Sequence, residues 1–180
     1  MPKDIIDVID TAVKIGLGAL ISRVTTYFVA NKNHFNDKAK VLIKKKVSIL
    51  EYSTENIEPY FHALNRYLSR IDGVLRAGKV QGGSAIDKAL LINIKKVDGD
   101  LLEARKERSI AVSRLKLIGA NDVTKHLSVI NLIVNELRSL AIFEKTLPNN
   151  EQLKDFKDRF ENEKNKFYKS LECEFLAIHS

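Results

Sequence analysis

The side chains best suited to metal binding or nucleophilic chemistry are few and scattered: His34, His62, His126, His179 and the single cysteine Cys173. Metal sites built on one element present their ligands in close pairs, so that a turn of backbone carries both. None of these residues has a second histidine or cysteine at helical spacing, so no metal is expected. Glu103 and Glu107 stand one helical turn apart beside Arg105, Lys106 and Arg108, the pattern of a solvated, salt-bridged helix face. Gly78 and Gly83 are spaced as in a phosphate-binding loop and followed by Ser84, but the lysine that must precede the serine is missing. No nucleophile elbow and no zinc-protease helix occurs. An enzyme and a cofactor are therefore not expected, and a protein that works by binding is.

The elements that carry these residues are helices. The chain of 180 residues is 44% hydrophobic and 29% charged, with three prolines, eight glycines and no tryptophan. That is enough for one sizeable core, and no alternating strand pattern or hairpin signal interrupts it. The expected fold is all-α: long antiparallel helices forming a bundle or coiled-coil-like body, preceded by an apolar N-terminal helix. Residues 1–34 form the appendage and 35–180 the bundle. With one cysteine there is no internal disulfide, and a reducing compartment is the natural setting.

Four apolar seams set the helices. Over residues 36–77, Leu50, Thr54, Ile57, Phe61, Leu64, Leu68, Ile71 and Leu75 alternate spacings of four and three, a stripe that packs lengthwise on another helix. Pro59 has no N–H for the carbonyl of Glu55, so the helix kinks or restarts there. Residues 78–84 make a connector, with Ser84 and Asp87 spaced as a capping box. The next seam is Ile94, Val97, Leu101, Ala104, Arg108, Ala111, Leu115 and Ile118, with Arg108 its one charged member. Arg108 either pairs with a carboxylate of a neighbouring helix and sets register, or snorkels from a frayed seam. Gly119 ends this helix, and Asn121 or Asp122 caps a third that runs to about residue 146 on Val123, Leu127, Ile130, Val134, Leu137 and Ala141. After a turn at 147–150 the last helix carries Leu153, Phe156, Phe160, Phe167, Leu171, Phe175 and Ile178, phenylalanines that read as core.

Residues 15–30 contain one charge, Arg23. Sixteen helical residues span about 24 Å, short of the roughly 30 Å hydrocarbon core unless 11–14 join them. Ile15, Leu17, Leu20, Ile21, Val24, Phe28 and Val29 favour insertion by about 3 kcal/mol, which Arg23 nearly cancels at about 2.5 to 3.5. The flanks are less balanced. Residues 31–46 hold six lysines and one aspartate, whereas Lys3 is the only basic residue before Lys14. The positive-inside rule then places the N-terminus outside and the body in the cytoplasm, at the inner membrane. Lys38, Lys40, Lys44, Lys45 and Lys46 form a candidate patch for anionic lipid or phosphate. The alternative is a cytoplasmic soluble bundle that binds nucleic acid or a partner protein through that patch, although no aromatic side chains are interleaved with the lysines for base stacking.

The run KIGLGALIS at 14–22 and YFVANKNH at 27–34, followed by charged helix, resembles the start of a loose class of small bacterial proteins. These have one N-terminal membrane helix and a cytoplasmic helical tail, and are often uncharacterised or associated with phages or defence. Arg23 departs from the small or apolar residue usual there. The resemblance implies a tethered interaction protein, and the seams together with Gly16, Gly18, Ala19 and Ser22 suggest self-association besides an unknown protein partner.

Overall fold

The computed structural model describes residues 37–77 and 82–178, with side chains from residue 40 onward. The membrane-segment residues Ile15, Leu17, Leu20, Ile21, Val24 and Phe28 lie outside the described residues, as do Arg23, His34, His179 and the side chain of Lys38. The chain divides into two compact units, Met1–Leu42 and Ile43–Ser180.

The described residues are all-helical, four helices packing against one another. They are α1 (Asp37–Arg76), α2 (Lys88–Leu117), α3 (Asn121–Arg138) and α4 (Asn150–Ala177), and α3 runs on into a π-helical turn, Ser139–Glu144. Contacts between neighbours fix their directions. Ser53 and Tyr60 of α1 meet Ala111 and Arg108 of α2, whereas Arg66 further along α1 meets the earlier Asp100. The same inverse order holds for Asp98 and Arg108 of α2 against Arg138 and Leu127 of α3. It holds again for His126 and Glu136 of α3 against Glu163 and Arg159 of α4, and for Glu58 and Asp72 of α1 against Tyr168 and Lys157 of α4. Each helix is antiparallel to the next, and α4 returns beside α1.

The seams lie inside. Leu50, Ile57, Phe61, Leu64, Leu68 and Ile71 of α1 are buried, with Ile94, Leu101, Ala111 and Leu115 of α2. Val123, Leu127, Ile130, Val134, Leu137 and Ala141 are buried on α3 and its π turn, and Leu153, Phe156, Phe160, Phe167, Leu171 and Phe175 on α4. Phe61 packs edge-on against Phe160 and Phe167, with ring centroids 5.8 and 5.5 Å away. A single seam serves one neighbour, and α1 has two. A second row at sevenfold spacing, Ser53, Tyr60, Tyr67 and Val74, is buried as well, so the apolar face of α1 is broader than its seam.

Helix ends depart from expectation in two places, Ser84 and the start of α3, which follows Ala120 with no side-chain cap from Asn121 or Asp122. Of the two outcomes open at Pro59, a restart does not occur: α1 runs unbroken through it, with the proline on the exposed side. Ser84 is not a cap: Asp87 takes that role, its carboxylate accepting from the Leu90 N–H at 2.8 Å. Residues 82–86 instead lie against 145–147, with the Gly83 N–H donating to the Leu147 carbonyl and Ala85 bridging Thr146. Gly82 is needed there because a Cβ would stand 2.4 Å from the Asn149 Cα. The third helix closes near 146, as expected: it turns π-helical at Ser139 and ends on Lys145, whose φ is 55°. Asn149 then caps α4 in a reciprocal capping box with Gln152. Residues Asn121–Glu144 are long and apolar enough, by length and composition, to cross a membrane. In the bundle Val123, Leu127, Ile130, Ile133, Val134, Leu137 and Ala141 of this segment are buried, whereas Leu132 and Phe143 are exposed.

Candidate functional site

Three surfaces and one interior cluster hold the polar side chains that could act. The interior cluster lies between α1, α2 and α3 and was not legible as a motif. Arg138 donates through Nε and Nη2 to the two carboxylate oxygens of Asp98, at 2.6 and 3.1 Å, and both side chains are nearly enclosed, 14% and 8% exposed. The hydrogen bonds from Arg138 to Asp98 raise the pKa of that guanidinium, outweighing burial. Arg105 donates to Asn135 Oδ1 at 2.5 Å. Among the described residues Arg108 has no carboxylate partner: its Nη2 donates to the Leu127 carbonyl at 2.8 Å and its guanidinium lies 5.6 Å from the centre of the Tyr60 ring. Burial pushes the Arg108 pKa down, with Tyr60 opposing. Burial likewise raises Tyr60 above an ordinary phenol, with Arg108 opposing, and raises Tyr67 further, with Asp98 adding to it. The cluster ties three helices in one register and holds Asp98 and Arg138 largely away from solvent.

The lysine patch opens α1. Lys40, Lys44 and Lys45 are exposed and Lys46 is half-buried; between them Val41, Leu42 and Ile43 are exposed too, and the first buried residue of the helix is Val47. Lys38 and Lys40 belong to the first compact unit and Lys44, Lys45 and Lys46 to the second.

An open groove of about 360 Å³ runs between α3 and α4, lined by Asp122, His126, Lys166, Lys169, Ser170, Cys173 and Glu174. His126 Nδ1 lies 2.8 Å from Glu163 Oε2, and Lys166 donates to Glu163 Oε1 at 2.7 Å. Burial raises the Glu163 pKa, but hydrogen bonds from Lys166 and His126 outweigh it and leave the carboxyl below the usual range. The groove's charges are of mixed sign, and its His126 and Lys166 are both held by Glu163. Among the described residues no group of three His, Cys, Asp or Glu is placed to hold a metal ion.

The remaining surface is the outer side of α2. Glu103 and Lys106 are indeed a solvated pair, 2.7 Å apart and mostly exposed. Around them are apolar side chains that the inward seam does not include: Ile92, Leu102, Ile110 and Leu117, all exposed. Compared with protein families, with curated proteins and with solved structures, this chain matches none.

Proposed function

We propose that the chain is a non-enzymatic, membrane-tethered helical interaction module, anchored by residues 15–30 with the helical body on the cytoplasmic side. The observation that carries this reading is the start of α1, where Val41, Leu42 and Ile43 are exposed among exposed Lys40, Lys44 and Lys45. The headgroup layer of an anionic bilayer accepts both kinds of side chain at once: apolar groups enter the acyl boundary, and each lysine contributes about 1 kcal/mol of attraction. Neither water alone nor a hydrocarbon core suits that mixture. It begins ten residues after the apolar stretch, where a cytoplasmic basic flank belongs. The body beyond it offers helix faces and a shallow groove, which suits binding rather than turnover.

Fractionation of cells carrying the full chain tests the reading, with membranes washed first in high salt and then at alkaline pH, for wild type and Arg23→Leu. Retention through both washes is expected, and Arg23→Leu raises it because insertion gains about 3 kcal/mol. Release by salt alone would reduce the lysines to surface attraction for lipid or nucleic acid and end the anchor.

A further inference from the structure

The outer side of α2 carries an apolar line whose positions read the same in both directions. At about 100° per residue, Gly99 and Leu117 fall on one line along the helix, and Ile92, Lys106 and Ile110 lie within about 20° of it. This line points away from the buried residues Ile94, Leu101, Ala111 and Leu115. Ile92 is 69% exposed, Ile110 43% and Leu117 82%. Above Gly99 nothing stands within 4 Å of where a Cβ would be. Ser109 and Ser113, beside the line, return their hydroxyl protons to the carbonyls of Arg105 and Ser109, so neither hydroxyl proton needs solvent.

Reversing the helix about a point between Ala104 and Arg105 maps this line onto itself. Ile92 exchanges with Leu117, Gly99 with Ile110, and Glu103 with Lys106. We propose that α2 is the contact between two copies of this chain, joined antiparallel about a two-fold axis through that point. Ile92 of one copy then packs on Leu117 of the second, and Ile110 fills the open space over Gly99. Glu103 and Lys106, already paired within each helix, form a ring of four alternating charges across the axis. A two-fold interface must be self-complementary in this way, with each contact occurring twice. The like-charged match is Lys95 opposite Arg114, and Arg114 is drawn back onto the Tyr52 ring, 3.6 Å from its centre.

The seams cannot supply this contact, because they are consumed inside one chain. From Ile92 to Leu117 the line is about 38 Å long, and one helix pair of that length buries less than the roughly 800 Å² per partner of a standard interface. Association is accordingly weak in dilute solution and strengthened where a tether concentrates the copies. The inference rests on the body being an interaction module and is independent of the anchor, so either can fail while the other stands.

Sedimentation equilibrium of the full chain in mild detergent, across a concentration series, tests it on wild type, Ile110→Glu, Glu103→Lys and the double variant Glu103→Lys/Lys106→Glu. Wild type is expected to pass from monomer to dimer. Ile110→Glu should remain monomeric, and Glu103→Lys should dimerise at least about tenfold more weakly, since it sets like charges across the axis twice. The double variant restores alternation and should recover the dimer, which a general loss of folding would not allow. A monomeric wild type, or a dimer indifferent to Ile110→Glu and Glu103→Lys, such as one joined through residues 15–30, would overturn the proposal.

Discussion

Helices α4 and α2 are nearly equal in length, 28 and 30 residues, and distribute their side chains in opposite ways. In α4 the phenylalanines at 156, 160, 167 and 175 are inside, and most of its lysines, glutamates and aspartates are outside. In α2 the inner side holds Asp98, Arg105 and Arg108 beside the aliphatic seam, and the outer side exposes Ile92, Leu102, Ile110 and Leu117. The first arrangement is what a helix needs when all its apolar contacts come from its own chain. The second spends polar contacts on orientation within the bundle and leaves apolar surface for something else. Stability should therefore reside mainly in the aromatic contacts of α4, register in the charged contacts of α2, and association in the outer line of α2.

The largest effect should come from α4. Phe160→Ala removes a fully buried ring from the Phe61 cluster and is expected to cost about 3 to 5 kcal/mol in chemical denaturation. A loss below about 1 kcal/mol would mean that this interface is not where stability lies. Next is Asp98. Asp98→Ala strands the Arg138 guanidinium and should cost about 3 kcal/mol, whereas Asp98→Leu/Arg138→Met, which removes both charges, should recover most of it. If the double variant instead loses as much as the two single changes together, the pair is a source of stability rather than of orientation.

Acid should act on the contacts that α4 makes through Asp72 and Glu163. Burial raises Asp72, but its bonds from Lys157 and Arg76 bring it below the usual carboxylate range, as Lys166 and His126 do for Glu163. A carboxyl whose pKa is lower when folded adds stability above its unfolded value, and loses it as pH falls through the folded one. Stability is expected to be level from neutral pH to about 5 and to decline below about 4. Asp72→Asn and Glu163→Gln should flatten that decline in acid-titrated thermal melts, and an unchanged slope in both would separate these contacts from the acid response.

Much of the bundle was legible because an apolar seam repeats: Leu50 to Ile71 on α1 and Val123 to Ala141 on α3 can be counted without knowing the partner. The capping box of α4 was not anticipated, but its turn at 147–150 was, since proline and asparagines stop a helix for local reasons. What depends on another segment was hidden. The Ser84 carbonyl accepts from the Leu147 N–H, a contact distant in sequence that lays 82–86 against 145–147, and the cap is Asp87. Asp98 and Arg138 are forty residues apart, and nothing local marks them as a pair. Arg108 stood out as a charged seam residue, yet its partner is a backbone carbonyl, which no side-chain pattern announces. The symmetry of α2 is present in the sequence, but only burial of the opposite side reveals it as a surface.

The division between an inner side that orients α2 and an outer side that joins copies is tested most directly by the concentration dependence of thermal unfolding. Binding a second folded copy stabilises the folded state by mass action, so the midpoint of the full chain should rise as protein concentration rises. In Ile110→Glu the midpoint at low concentration should match wild type, because the side chain is exposed in the single copy, and should stay constant as concentration rises. A wild-type midpoint that does not move with concentration, or an Ile110→Glu midpoint that rises as the wild type's does, would contradict the account.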